Sequence, residues 1–288
     1  MEKSEFRGPI HRLGDWIVDR FVTLPRWIRL PLWRMWHSNM IRWDTGYQAL
    51  RFMNYGYAPM DGAEPVIDET AHDEPYGAAL YHVAVSHTAV NGARVLEVSS
   101  GRGGGAAYVA QTFTPHEYVG LDVSSQNVEA CTDVYREIDN LRFVEGTAEA
   151  LPFADASFDA VVNVEASRAY GDLNAFLREV RRVLRPDGSF LLTDMRYAED
   201  VEELRTRVME AGFSIEAHLD ISENVVRALE RDNERKVELM RRRVPRMFLS
   251  AFSEFAGTVG SKRYEAFRDG SLKYFSWLLR PQPGAIIT

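Results

Sequence analysis

Hydrophobic and polar positions alternate along this chain in two distinct ways. From residue 77 onward, short apolar runs of strand character are separated by longer segments in which apolar residues recur at helical spacing. GAALYHVAVSHTAV (77–90) reads as a helix and ARVLEV (93–98) as a buried strand running into a Ser/Gly-rich turn. AAYVAQTF is then a helix, YVGLDV (118–123) a strand, SQNVEACTDVYREI a helix and LRFVEGTA (141–148) a strand. FDAVVNVEA (158–166) gives a strand, LNAFLREVRRVL (173–184) a helix, GSFLLTDM (188–195) a strand, VEELRTRVMEAG a helix and FSIEAHLDIS a strand. This alternation predicts an α/β fold with a doubly wound, mostly parallel sheet whose core spans residues 77–220. The next stretch, ENVVRALERDNERKVELMRRRVPRMFLSAFSEFAG, is helical, charged and broken at Pro245, and reads as an insertion over 221–270 in the place of a substrate lid. SLKYFSWLLRP, within 271–288, is the seventh strand, expected to close the sheet antiparallel at its edge.

The first 76 residues obey another rule. Trp16, Trp27, Trp33, Trp36 and Trp43 are interleaved there with Arg20, Arg26, Arg29, Arg34 and Arg42. Leu13, Trp16, Ile17 and Arg20 stand at helical spacing, and Pro25 and Pro31 break the adjoining WIRLPLWRMW region into short pieces. The segment reads as a helical cap that packs aromatics on the main domain, covers an apolar substrate, or touches a membrane surface through residues 1–60. A run rich in Pro, Gly and acids, APMDGAEPVIDETAHDEPYG, links it to the core.

Composition narrows the function. A net charge of −8 argues against nucleic acid as a partner, because phosphate binding needs a basic surface. The N-terminus is charged throughout, without a signal-peptide core, and no window offers the ~18 uninterrupted apolar residues of a membrane span, which predicts a soluble, cytoplasmic protein. A single cysteine, Cys131, leaves no internal disulfide and reads as a small core residue. His72, His82 and His87 fit no compact ligand spacing, so no metal site is expected. A homodimer stays open.

The glycines of VLEVSSGRGGG, Gly101, Gly103, Gly104 and Gly105, remove side chains from the first strand end, where α/β sheets bind ligands. Asp122 ends the second strand, in position to accept hydrogen bonds from two ribose hydroxyls. The two features together predict a nucleoside-bearing cofactor. An acid, Glu97, precedes the glycines where a nicotinamide site starts with glycine, and no GxxxxGK[ST] phosphate loop occurs.

VLEVSSGRGG resembles motif I of class I S-adenosylmethionine-dependent methyltransferases, with Ser99 and Ser100 altered from the usual pattern. VGLDVS, FVEGTAEALPFADASFDAVVN and FLREVRRVLRPDGSFLLTD are similar to the family's later motifs, so the resemblance covers residues 77–212. It implies a Rossmann-like methyltransferase fold and S-adenosylmethionine as cofactor, with S-adenosylhomocysteine as product. Carried over by position, it implies that Glu97 and the turn Ser99–Gly103, with Gly101, hold the methionine part and that Asp122 holds the ribose. Val123 would cover one face of the adenine, Thr147 and Ala148 would meet its edge, and Asn163 would lie beneath the sulfonium. Thr147 stands where the family usually has Asp. MNYGYAP resembles a cap segment that closes over the methyl donor, which makes Tyr55 and Tyr57 candidates for that wall.

EVSSGRGGGAAYV, LPFADASFDAVVNVEAS and DEPYGAALYH are closer to O-methyltransferases of lipids and polyketides, of the phthiotriolone dimycocerosate and fatty-acid type. The resemblance implies a hydrophobic lipid- or polyketide-like acceptor, a carboxylate or a hydroxyl. Those enzymes offer a His after NVEAS, backed by an acid at the fifth strand; this chain keeps Asp194 and replaces the His with Arg168, which stays protonated and is no base. Three readings are open. Arg168 pairs with Asp194; or Arg168 orients an acceptor carboxylate through a bidentate fork; or an alcohol is the acceptor and His82, Tyr81 or Tyr170 takes its proton. Methyl transfer to nitrogen or carbon, and a non-catalytic scaffold that binds S-adenosylmethionine and docks a lipid surface or partner enzyme, are the competing functions.

Overall fold

The apolar runs assemble into one sheet in the computed structural model, which describes residues 50–61, 73–246 and 249–282. Helix α1 (Pro75–Val85) leads into β1 (Arg94–Val98), α2 (Gly104–Thr112), β2 (Glu117–Asp122), α3 (Ser125–Val134), β3 (Leu141–Glu145) and β4 (Phe158–Val164). A 3-10 turn (Ser167–Ala169) precedes α4 (Leu173–Val183), β5 (Leu184–Tyr197), α5 (Val201–Glu210) and β6 (Phe213–Asp220). Helices α6 (Ser222–Arg231), α7 (Asn233–Arg243), α8 (Leu249–Ala256) and α9 (Lys262–Arg268) come before β7 (Leu272–Pro281). The tryptophan-rich cap expected over residues 1–60 lies, up to residue 49, outside the described residues, as does most of the linker. Among the described residues no helix is long and apolar enough to cross a membrane.

Strand order is β3-β2-β1-β4-β5-β7-β6, parallel except for β7. The chain winds outward from β1 in one direction and from β4 in the other, so the switch point, where such sheets open a crevice, lies between the ends of β1 and β4. The expectation for the last strand is corrected here. β7 runs antiparallel, but between β5 and β6, and β6 takes the edge. Both faces of β7 are covered, with Tyr274, Trp277 and Leu279 fully buried, whereas β6 ends exposed at His218, Leu219 and Asp220.

The described chain divides into two compact units: Arg51–Ala228 with the chain from Phe267 onward, and Leu229–Ala266. The first unit includes Arg51–Asp61, and among the described residues helices α6 to α9 fill the chain between the end of β6 and the start of β7. Within the second unit, buried Asp232 pairs with Arg235 and Lys236, and the Tyr264 hydroxyl donates to Glu230 Oε1 at 2.7 Å.

Core residues come from the faces their periodicity predicts. On α4, Phe176, Leu177, Val180 and Val183 turn one stripe inward against Phe190 of β5, while Asp172 caps the helix by accepting from Ala175 N at 3.0 Å. Phe275 stacks on Trp277 with ring centroids 4.4 Å apart.

Polar groups tie α1 to the sheet. Glu97 on β1 is fully buried; its Oε1 accepts from the Tyr81 hydroxyl of α1 at 2.7 Å and its Oε2 from the Tyr118 hydroxyl of β2 at 3.0 Å. The Tyr81 ring lies so close to α2 that a Cβ built on Gly105 would overlap its Cζ. Gly105→Ala should therefore overpack a ring that cannot move without breaking its bond to Glu97, and cost about 2 kcal/mol in chemical denaturation; an unchanged midpoint would contradict the packing. Burial pushes the Glu97 carboxyl up to about 7, against the two tyrosine bonds, which act downward. The folded chain then keeps this proton where the unfolded chain has lost it, so stability falls as pH rises from the ordinary carboxylate value to about 7 and is flat above. Glu97→Gln should remove that share of the slope, on the order of 3 kcal/mol, read from denaturation midpoints across pH.

Candidate functional site

The turn after β1 is held in a left-handed path, with φ of 66° at Ser99, 55° at Gly101 and 74° at Gly103. Asp122, at the end of β2, fixes it: Oδ2 accepts from Gly101 N at 2.9 Å, and Oδ1 from Ser124 N at 2.9 Å and Asn127 Nδ2 at 3.2 Å. Burial raises the Asp122 pKa and these three bonds oppose the rise. A carboxylate offers about four acceptor sites, so capacity for a ligand donor is left. Val123 comes next with its apolar side chain half exposed, and Gly146 N donates to Asp122 O at 3.0 Å, which brings exposed Thr147 and buried Ala148 to the same strand ends. The residues assigned to ribose and adenine are thus neighbours.

Across the switch point, Asn163 is fully buried near the end of β4. Its Nδ2 donates to Val98 O at 2.9 Å and to the Tyr170 hydroxyl at 2.7 Å, while its Oδ1 has no hydrogen-bond partner among the described residues. The Tyr170 hydroxyl also meets Ser99 Oγ at 2.8 Å, and its ring packs on Phe176 with centroids 4.6 Å apart. Tyr170 thereby latches the loop after β4 to the turn after β1. Burial pushes its pKa far above the ordinary phenol value despite the bonds to Ser99 and Asn163, which counts against the base role that one of the three readings gave it.

Several expectations change. Glu97 is fully buried with each carboxyl oxygen accepting from a tyrosine hydroxyl, so its side chain braces α1 and β2 behind the turn. The Tyr81 hydroxyl is spent on Glu97, and burial, then the neighbouring carboxylate, raises its pKa well above 10. His82 turns to α2, its Nδ1 2.9 Å from the Tyr108 hydroxyl and its ring 5.0 Å from Phe113, at the end of α2 remote from the glycine turn. Burial lowers the His82 pKa. The aromatic wall also differs: Arg51 and Met53, not Tyr55 and Tyr57, lie over the glycines, with Arg51 O 2.5 Å and Met53 Sδ 3.7 Å from where Cβ atoms of Gly104 and Gly101 would stand. Tyr55 packs edge-on against Phe267, and Tyr57 N donates to Tyr76 O.

Asp194 is not the partner of Arg168. It is fully buried, pairs with Arg196 Nη1 at 3.1 Å, and its Oδ2 accepts from Ser167 N at 3.0 Å and Ser167 Oγ at 2.6 Å. Asp194 thus fixes the Ser167–Ala169 turn that carries Arg168. Arg168 itself is exposed and makes no hydrogen bond or ion pair among the described residues.

One group escaped the sequence reading. Glu165, two residues after Asn163, has φ of 53°, a left-handed conformation costly for a side-chain-bearing residue. Its Oε1 accepts from Tyr55 N at 2.7 Å and from the Tyr274 hydroxyl at 2.5 Å. Burial pushes its carboxyl up to about 7, opposed by the two bonds and by nearby Arg168. The signal was an acid at the end of an apolar strand, inside NVEAS.

Comparison with known proteins agrees with this geometry. A family model described as a methyltransferase domain matches residues 96–192. Phthiotriol/phenolphthiotriol dimycocerosates methyltransferase 1 of Mycobacterium ulcerans is 36% identical over 247 residues, 84% of this chain and 88% of that protein. The fatty-acid O-methyltransferase of Mycolicibacterium smegmatis is 36% identical over 223 residues, 77% of this chain and 80% of its own length. Among solved structures, the [4+2]-cyclase SpnF superposes with a TM-score of 0.66 at 21% identity, covering 87% of this chain and 95% of that one. The cyclopropane synthase MmaA2 of Mycobacterium tuberculosis superposes with a TM-score of 0.61 at 16% identity, covering 81% and 94%. The two structures speak for the fold, and the sequence relatives carry the assignment: the chain belongs to the S-adenosylmethionine-dependent methyltransferases, in the family of these dimycocerosate and fatty-acid enzymes.

Proposed function

We propose that the protein methylates an oxygen of a hydrophobic, lipid-like acceptor presented at the carboxyl ends of β1 and β4. The observation that carries this reading is Arg168, an exposed guanidinium without an ion pair among the described residues, on a turn made rigid by buried Asp194. A bidentate fork in that position suits an oxygen-bearing head group on an apolar chain. The names of the relatives, a fatty-acid O-methyltransferase and dimycocerosate methyltransferases, support the same class of acceptor.

The residues fit the cofactor. The unpartnered Oδ1 of Asn163 and the left-handed turn at Ser99–Gly103 suit the amino-acid end, Asp122 the ribose hydroxyls, and Val123 with Ala148 an apolar ring. When bound, S-adenosylmethionine supplies an electrophilic methyl group on a sulfonium. The protein's task is then alignment and exclusion of water. Tyr170 keeps the two loops at a fixed separation, and Arg168 orients the acceptor. For a carboxylate acceptor, already ionised at neutral pH, no base is needed; for a hydroxyl acceptor one is, and Glu165 is the observation that favours that second reading.

Incubation with methyl-labelled donor and a panel of long-chain fatty acids, long-chain alcohols and phenols should give S-adenosylhomocysteine with label in a methyl ester or methyl ether. Label found only on nitrogen or carbon would refute oxygen transfer. With fatty acids, Arg168→Ala should raise KM roughly 10- to 100-fold, the worth of a charge-assisted bond, with kcat little changed; an unaltered KM would remove Arg168 from the acceptor site.

A further inference from the structure

Methylation of a hydroxyl needs somewhere for the proton to go, and among the described residues β1, β2, β4 and β5 carry, at or next to their carboxyl ends, four buried or half-buried carboxylates. Three are committed elsewhere. Both Glu97 oxygens accept hydrogen bonds from tyrosine hydroxyls, Asp122 accepts three donors in the turn assigned to the cofactor and has its remaining capacity there, and Asp194 is fully buried against Ser167 and Arg196. Glu165 differs in how its bonds are distributed. Tyr55 N and the Tyr274 hydroxyl both end on Oε1, and among the described residues no hydrogen bond reaches Oε2.

Its position fits the acceptor rather than the cofactor. Glu165 stands directly beyond β4, two residues after Asn163 and three before Arg168. The left-handed backbone at φ 53° is held in place by Glu165 N donating to Thr193 O of β5 at 2.9 Å. A strained residue fixed by three neighbouring segments, the chain at Tyr55, β5 and β7, keeps one carboxylate oxygen in a defined place. The charged and titratable groups that face it are Arg168 from the 3-10 turn, Asp194 from β5, Tyr274 from β7 and Tyr81 from α1.

We infer that Glu165 is the catalytic base for hydroxyl acceptors, receiving the hydroxyl proton on Oε2, and that Tyr274 and the Tyr55 amide are positioning groups that hold its other oxygen. This rests on the reading of the protein as an oxygen methyltransferase. In the step, the acceptor oxygen forms the new bond to the methyl carbon as the sulfur–methyl bond breaks. The bonding pair stays on sulfur, and the proton passes to Glu165, from which it returns to solvent. Burial, the main influence, sets this carboxyl at about 7, where a base is half ready at neutral pH, and the neighbouring Asp194 acts in the same direction while Tyr274, Tyr55 and Arg168 oppose it.

The test uses the full chain, a long-chain alcohol and a long-chain fatty acid. For the alcohol, kcat/KM of the unmodified protein should rise with pH through about 7, because the ionised carboxylate is the active form. Glu165→Gln keeps an acceptor for Tyr55 N and Tyr274, and should lower kcat for the alcohol at least ~100-fold and abolish that rise. The fatty acid, which brings no proton, should lose less than ~10-fold on a scale where a base is worth ~100-fold or more. Tyr274→Phe removes a bond that favours the ionised carboxylate, so the rise should move to higher pH, and a purely structural role would not move it. Independently of turnover, the carboxyl carbon resonance of glutamate-labelled protein that Glu165→Gln deletes should titrate near pH 7. Full alcohol turnover with an unchanged pH profile in Glu165→Gln would overturn the base while leaving oxygen transfer intact. Absence of any methyl ether or ester from the unmodified protein would instead overturn the reading on which the base rests.

Discussion

The carboxyl of Glu97, buried between two tyrosine hydroxyls, is the interaction on which the rest of the site depends. It joins α1, β1 and β2 at one point, and it does so directly beneath the turn at Ser99–Gly103. Tyr81 can reach it only because α2 starts with glycines that have no Cβ to meet the ring. Helix approach, turn path and strand end are therefore set together. A carboxyl in such a place is costly to ionise, and its two phenol donors are what make its burial tolerable.

The same device recurs around the strand ends with different consequences. Backbone N–H groups of loops that have no ladder partner are met by acidic side chains from elsewhere in the fold: Gly101 and Ser124 by Asp122, Ser167 by Asp194, Tyr55 by Glu165, Arg51 by Glu74 and Gly171 by Glu149. Each bond satisfies a loop N–H with a side-chain carboxylate and so fixes the loop's path. Loops held this way can be rigid while their outward side chains, Val123 and Arg168 among them, stay accessible.

Fold and chemistry separate along the switch point. Under the proposed function, the turn after β1 and the end of β2 take the cofactor and the loop after β4 takes the acceptor. A [4+2]-cyclase shares the architecture, so the sheet alone does not decide the reaction. Arg168 and Glu165 lie on the β4 side of that division, three residues apart, with opposite charges that do not neutralise each other through a hydrogen bond among the described residues.

Strand and helix identity, the parallel core, and the pairing of a glycine turn with Asp122 were all legible in the sequence, because period and motif spacing are local properties that survive folding. The position of β7 was not. Its alternation resembles an edge strand, and only the arrival of β6 on its far side makes both faces buried. Nor did the motif decide which cation Asp194 would choose: Arg196 follows it in β5 and Arg168 stands on the turn after the neighbouring β4, and the direction of side chains from β5 and the 3-10 turn selects Arg196. Glu165 shows the same limit from the other side. The sequence supplied an acid inside NVEAS, but its left-handed backbone, its bond to an amide 110 residues away and its raised pKa exist only when the segment at Tyr55, β4 and β7 converge. Local periodicity determined the elements and the cofactor turn; the partners of each buried charge were decided by tertiary structure, because burial and hydrogen-bond direction are properties of converging segments rather than of any one of them.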